Sequence, residues 1–338
     1  MVVQPNHPHL RGGAKTVTWQ EQEQFHFNTT RDALRREDAP VDLVVWSETV
    51  LPPMNVEARR LTRDPRLSVG IHEDLLALCQ QYNTAIVFGA YALLKFEGSE
   101  STADVRNSTY FYTSDGSQAR YDKIHLVPFS EVLPFKRSIP WLYNLLWRFA
   151  AYSVEYPITG ADETDATLAV FTLHPGTSGR PECRLVSPIC FEDTDGRLVA
   201  RMFRPSGPGA RARKRADVLV NVTNDGWFRG DEKWQHFQSA IFRSIENRVP
   251  TARADNTGIS GFVDSVGRVE RAKLMVAGMS GTSTQQVALD SRVTLYTTIG
   301  DAFGIGCFLI AIATMLVGVF RRARPRSGGG STPQTQYT

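Results

Sequence analysis

Nineteen consecutive residues, Ala302 to Phe320, carry no charge. As a helix they extend about 28 Å, close to a bilayer core of about 30 Å, so the stretch predicts a transmembrane helix over 302–320 rather than a core helix. Arg321-Arg322-Ala323-Arg324-Pro325-Arg326 follows at once, and its positive charge is expected to stay on the cytoplasmic side. The globular part upstream then belongs on the opposite, extracytoplasmic face. Residues 321–338 read as a basic tail with nothing to bury, expected to be disordered. At the other end, Met1-Val-Val-Gln-Pro5 resembles a first strand and has neither the n-region nor the h-region of a signal peptide. Export of the domain therefore implies earlier membrane segments, missing here or encoded separately.

Between these ends the chain alternates. An apolar run from Val41 to Trp46, broken only by Asp42, ends in Ser47-Glu48 and a Pro52-Pro53 break, as a buried parallel strand would. Helical spacing predicts helices over 19–36, 67–82 and 234–247. Strands are expected over 84–94, 108–113, 118–124, 168–173, 183–189, 218–222, 251–254, 260–264 and 268–272, with Asp115-Gly116 as a hairpin turn. Such a mixture implies a layered α/β domain. Two segments stand apart. Lys136 to Pro157 carries six Trp, Tyr and Phe residues and reads as an amphipathic arm at a membrane interface or over a pocket, or else as a helix packed on its own domain. Pro205 to Arg215 is basic, with glycines and prolines, and reads most simply as a solvated loop.

Composition removes several classes of function. With 42% hydrophobic and 22% charged residues the chain can bury a core, and a net charge of +3 is too small to argue for nucleic acid. Its four cysteines, Cys79, Cys183, Cys190 and Cys307, form no Cys-x-x-Cys pair, and the seven histidines form no His-Glu-x-x-His. A zinc site, a disulfide framework and a metal or other cofactor are therefore not expected. Gly258-Ile-Ser-Gly261 continues with Phe262 and so fails the Gly-x-Ser-x-Gly elbow of a serine hydrolase. Cys190 is different. It lies in Ser187-Pro-Ile-Cys-Phe-Glu-Asp193, between the strand end Leu185-Val186 and an acidic helical first turn, where a helix N-terminus favours a thiolate. Taken alone it reads as a small buried hydrophobe or as a nucleophile. Glu48 and Lys123 stand at two other strand ends, where sites in α/β sheets gather.

Four ordered segments add to this: Trp46-Ser-Glu-Thr-Val-Leu-Pro52, Tyr121-Asp-Lys-Ile-His-Leu-Val-Pro-Phe-Ser-Glu131, Ile189-Cys-Phe-Glu192 and Asn221-Val-Thr-Asn-Asp-Gly-Trp-Phe228. Together they resemble the nitrilase (carbon-nitrogen hydrolase) superfamily, and more closely its apolipoprotein N-acyltransferase branch. Gln235-His236, Arg243-Ser-Ile-Glu246 and Leu295-Tyr-Thr-Thr-Ile-Gly-Asp301 point to that branch. The resemblance covers roughly residues 2 to 320. It implies a four-layer αββα sandwich over residues 1–290, followed by the C-terminal transmembrane helix. The family's glutamate, lysine and cysteine fall on Glu48, Lys123 and Cys190, and its supporting glutamates on Glu131 and Glu192. Ser47 replaces a usual proline, Ser130 a glycine, and Phe191 a tyrosine whose hydroxyl is lost.

The resemblance further implies a phospholipid as acyl donor, an apolipoprotein as acceptor, and an inner-membrane enzyme with its catalytic domain on the periplasmic side. Glu48 would act as base, and Lys123 with the Phe191 N–H would face the oxyanion. Two other readings stay open: a nitrilase-type amidase acting on a small amide, and a non-catalytic membrane-associated fragment. Cys79 and Cys183 are expected in the core, and His236 in a structural hydrogen bond. Asn224, Asp225 and Trp227 are read either as a strand cap and core or as shaping the pocket beside Cys190.

Overall fold

The structure, a computed structural model, describes residues 1–8, 16–61, 64–94, 104–133, 135, 138–148, 158–164, 166–176, 179–205, 213–228 and 230–323. Half of the expected aromatic arm, 136–137 and 149–157, lies outside them, as do 206–212 of the basic segment and the tail from 324 onward. Five strands, β1 (Val2–Gln4), β2 (Leu43–Val45), β3 (Ala85–Leu94), β4 (Asp104–Tyr112) and β5 (Gln118–Asp122), build most of the first sheet. Another five, β6 (Phe171–Leu173), β7 (Cys183–Val186), β8 (Val218–Thr223), β9 (Thr251–Asp255) and β10 (Gly261–Val263), build the second. A last short strand, β11 (Gly281–Ser283), returns to pair with β1. The sheet orders are β11-β1-β2-β3-β4-β5 and β10-β9-β8-β7-β6.

Alternation along β3 shows how the layers arise, because successive side chains point to opposite faces. Ile86 and Phe88 pack with Phe27 of α1 (Trp19–Arg36) and with Leu75 and Leu78, while Val87 turns to the second sheet and packs with Val186, Val220 and Ala254. Rings of Phe111 and Phe171 stack between the sheets, 5.2 Å apart and nearly parallel. On the outer face of the second sheet, Leu198, Val199, Met202 and Phe203 complete the core. The result is the helix–sheet–sheet–helix layering that the resemblance implied.

Local signals account for the boundaries. Thr18 and Glu21 form a capping box that starts α1, and Trp46 Nε1 donates to Thr30 Oγ1 at 2.9 Å, tying α1 to the end of β2. After α2 (Val56–Leu61), a π-turn at Arg66–Gly70 leads into α3 (Ile71–Tyr82), which stops at Asn83 in the left-handed conformation. Gly116 turns the expected hairpin at φ 87°. The strand expected over 268–272 does not form. Val269 makes one bridge to Val263, and a 3-10 turn at Arg271–Lys273 follows, because Arg268, Glu270 and Arg271 leave almost nothing apolar to bury.

α4 (Pro140–Trp147) is the described part of the aromatic segment, and none of its side chains is buried. α5 (Gly196–Phe203), capped by Asp195, and α6 (Glu232–Asn247) lie in the outer helical layer beside the second sheet, and α7 (Leu295–Ile299) follows. The chain divides into two units, residues 1–298 and 299–338. In the second, α8 (Ala302–Ala323) has an 18-residue stretch, Ala302–Val319, that is long and apolar enough to cross a membrane.

Candidate active site

Three segments that are distant in sequence meet where the sheets face one another. The chain leaving β2 runs close along β3, with Gly89 N–H donating to Ser47 O at 3.1 Å and Val50 N–H to Gly89 O at 2.9 Å. Glu48 N–H crosses to Thr223 O at the end of β8, 3.3 Å away. Gly89 is required by this approach, since a Cβ there would lie 2.6 Å from both Glu48 Cα and Thr49 N. Gly89→Ala should therefore shift the Glu48 backbone. The expected cost is about 1–3 kcal/mol of stability and roughly a hundredfold in any reaction needing Glu48, measured by denaturant unfolding and single-turnover rates.

Lys123 follows β5 and is fully buried, its N–H donating to Asn107 O of β4 at 2.8 Å. The Lys123 ammonium donates to Glu131 Oε1 at 2.9 Å and stands 3.5 Å from Glu48 Oε1. Asn107 Nδ2 donates to the same Glu48 oxygen at 2.6 Å, while Glu131 is fixed through its other oxygen by Val127 N–H at 2.9 Å. Burial alone opposes charge on Lys123, but Glu131, Glu48 and Cys190 hold the ammonium protonated well beyond its ordinary range. Burial, with Glu131, pushes Glu48 up, against the pull of Lys123, Asn107 and a hydrogen bond with Cys190.

Cys190 begins a 3-10 turn, Cys190–Thr194, at φ 50°, a left-handed conformation that non-glycine residues adopt at a cost of about 1–3 kcal/mol. Its carbonyl is caught from two sides, by Asn221 Nδ2 at 3.4 Å and His236 Nε2 at 3.3 Å. The pull of the helix end toward a thiolate is outweighed here. Burial first, and Glu48 second, push the thiol well above its ordinary value, outweighing Lys123 and a hydrogen bond with Thr223. A single 3-10 turn has too little dipole to reverse that. Cys190 thus rests as a thiol, with the Glu48 carboxylate as a charged neighbour.

Glu192, also fully buried, acts as a brace. It accepts from Ile189 N–H at 2.8 Å in its own turn, and from Ile124 N–H at 2.7 Å, His125 N–H at 3.0 Å and the Tyr121 hydroxyl at 3.0 Å in the lysine segment. Phe191 is partly exposed and lines a cleft of roughly 530 Å³ with Ile124, Leu126, Pro128, Val132 and Ala161. This largely apolar cleft lies beside both the lysine and cysteine segments. The donor atoms of Cys190, Asp225 and His236 lie within 4.8 Å of one another. They do not make a metal centre, because His236 Nδ1 and Nε2 already face Asp225 at 2.7 Å and Asp193 at 3.0 Å.

The structure thus brings together Glu48, Lys123, Glu131 and Cys190, with Glu192 joining the two loops behind them. Reading the sequence missed Asn107, Asp193, Arg253 and Asp255. A usable signal existed in Thr251-Ala-Arg-Ala-Asp255: an arginine and an aspartate two apart on one face of a strand, flanked by alanines.

A family model described as carbon-nitrogen hydrolase matches residues 2–299. The chain belongs to the carbon-nitrogen hydrolase family. Among the proteins similar to this chain is an apolipoprotein N-acyltransferase of Geobacter metallireducens, 28% identical over 84% of this chain and 47% of that protein. Apolipoprotein N-acyltransferase 1 of Treponema pallidum is 30% identical over 97% of this chain and 56% of that protein. The chain spans about half the length of these curated relatives. A solved amidase from Nesterenkonia sp. is similar at 14% identity and a TM-score of 0.47, over 79% of this chain and 82% of that one.

Proposed function

We propose that this chain carries the catalytic domain of an N-acyltransferase that moves an acyl chain from a phospholipid to the α-amine of a diacylglyceryl-cysteine at the start of an apolipoprotein. The observation that carries the reading is the convergence of buried Cys190, Glu48 and Lys123, with the Lys123 ammonium 3.5 Å from the Glu48 carboxylate. The adjoining apolar cleft suits an acyl chain from a lipid donor, and the names of the relatives supply the acceptor class and the N-acyl product.

Glu48 takes the Sγ proton of Cys190 as the sulfur attacks the ester carbonyl of the donor. The oxyanion faces the Lys123 ammonium and the Phe191 N–H, one of the leading amides of the 3-10 turn, at a gain of about 3–4 kcal/mol per such donor. Collapse breaks the carbon–oxygen bond, and the lysophospholipid alkoxide leaves with the proton held by Glu48. A Cys190 thioester remains. In the second half Glu48 takes a proton from the incoming amine, nitrogen attacks the thioester carbonyl, and the departing sulfur recovers the proton. Glu131 keeps Lys123 in place, and Glu192 keeps the two loops in register. In this reading α8 spans the inner membrane with Arg321 and Arg322 on the cytoplasmic side and the catalytic domain on the periplasmic side. A membrane-helix part, in the same or a separate polypeptide, would present the lipid.

The test is mass mapping of the detergent-solubilised chain after incubation with phospholipid. One added acyl chain at Cys190, released by a diacylglyceryl-cysteine peptide as the N-acyl product, is the expected result. Attachment at Cys79, Cys183 or Cys307 would overturn the assignment, as would hydrolysis of small amides without any acyl-enzyme from lipid.

A further inference from the structure

Beneath Cys190 lies a cluster of five buried titratable side chains that the proposed chemistry does not use. Arg253 and Asp255 share one face of β9, Asp193 follows Cys190 in the 3-10 turn, Asp225 follows β8, and His236 comes from α6. Arg253 Nη1 donates to Asp193 Oδ2 at 2.7 Å and to Asn221 Oδ1 at 2.6 Å. Its Nη2 lies 3.2 Å from Asp225 Oδ2 and 3.6 Å from Asp255 Oδ2. His236 bridges Asp225 and Asp193 and reaches the Cys190 carbonyl. Burial and the neighbouring Arg253 oppose a charged ring, but Asp193 and Asp225 outweigh them and push His236 up to about 10.

Two cations therefore face three carboxylates in a site closed to water, where an uncompensated charge is costly. Asp255 yields. Burial and the Asp225 carboxylate push it up to about 8, while Asp225, next to Arg253 and His236, is held well below the usual range despite its burial. Asp255 Oδ1 accepts from Asp225 N–H at 3.0 Å and Thr257 N–H at 3.2 Å, which leaves Oδ2, crowding the same space beside Gly258 as Asp225 Oδ2, to carry the proton. Facing Asp255 are Asp225 from the turn after β8 and Arg253 from its own strand, with His236 of α6 behind Asp225. Lys233 of α6 binds Thr257 O, and Gln4 of β1 reaches Ser260, whose hydroxyl accepts from Asp255 N–H.

We propose that this cluster is a positioning assembly for Cys190: it clamps the carbonyl of the left-handed turn, and Asp255, by holding or releasing one proton, sets whether the charge beneath the sulfur is zero or negative. With Asp255 protonated the assembly is neutral and tolerates a thiolate; with Asp255 ionised it opposes one. The proposal rests on Cys190 being the nucleophile. Its test needs no acyl donor, so its failure and a failure of acyl transfer are read separately.

The measurement is the rate of Cys190 alkylation by iodoacetamide in the full detergent-solubilised chain, across pH 6 to 10, quantified by peptide mass. Asp255→Asn mimics the protonated acid at every pH. It should match the wild type at pH 6 and react about tenfold faster at pH 9 to 10, where the wild-type cluster has gained its negative charge. His236→Gln keeps a donor for the Cys190 carbonyl but removes a cation, and should slow alkylation at pH 7 by a similar factor. An Asp255→Asn profile that overlays the wild type overturns the proposal. So does an Asp255→Asn chain that fails to fold, because the amide reproduces the neutral form claimed to prevail at pH 7.

Discussion

Glu48→Gln should lower acyl-enzyme formation at Cys190 by about 10²- to 10⁴-fold, the range lost when a positioned general base is removed. The amide can still accept from Asn107, so the loss reports the missing proton acceptor rather than a collapsed pocket. Mass-detected single-turnover acylation measures it, with phospholipid binding expected to stay within a few-fold. The pH profile adds a second criterion. Burial and Glu131 hold Glu48 above the ordinary carboxylate value; protonated, it cannot take the thiol proton, so the wild-type rate should fall on the acid side at a higher pH than a free carboxylate would give. That acid limb should vanish in Glu48→Gln. Acylation at the wild-type rate would remove Glu48 from the mechanism.

Glu192→Ala should be the most destabilising single change at the site. It strands four donors: the N–H groups of Ile189, Ile124 and His125 and the Tyr121 hydroxyl. Each buried donor left unsatisfied costs about 1–3 kcal/mol, so a total of at least 4 kcal/mol is expected, against a typical whole-domain stability of about 5–15 kcal/mol. Glu192→Gln keeps one accepting oxygen and should lose roughly half as much. Denaturant unfolding followed by tryptophan fluorescence is a direct measure, since Trp46 is buried in the core of the first sheet. A loss below about 1 kcal/mol for the alanine variant would refute the bracing role.

Much of the fold could be read from the sequence because apolar runs and helical periods are local. The helix expected over about 19–36 forms at Trp19–Arg36, and β3, β5, β8, β9 and α6 emerge within a few residues of their expected limits. What escaped notice lacked such a signal. β11 is Gly-Thr-Ser, which pairs with β1 through its backbone and offers no hydrophobic pattern; the helix expected to open at Glu192 and Asp193 starts only at Gly196, after a 3-10 turn and the Asp195 cap. The site divides the same way. Glu48, Lys123, Glu131 and Cys190 stand in recognisable segments, so their meeting could be anticipated. Asn107 and Arg253 sit inside strands with no motif around them, and only the register that aligns β4 with β5 and β9 with β8 reveals what they touch. The raised thiol is hidden from the sequence for a related reason: burial and the approach of Glu48 are tertiary facts, whereas the helix end is visible locally.

The seam between the sheets also dictates when reactivity can appear during synthesis. Glu48 and Lys123 belong to the sheet made first, Cys190 to the one made later, and the clamp on its carbonyl depends on Asn221 and His236, which are in turn held by Arg253. At an elongation rate of about 5–20 residues per second, the sixty-odd residues from Cys190 to Arg253 take roughly three to thirteen seconds to add. Through that interval the cysteine has no fixed base and no shaped turn, and it behaves as an ordinary thiol. Thus a chain stalled or cleaved before β9 would carry Glu48, Lys123 and Cys190 and yet be unable to build the acyl-enzyme.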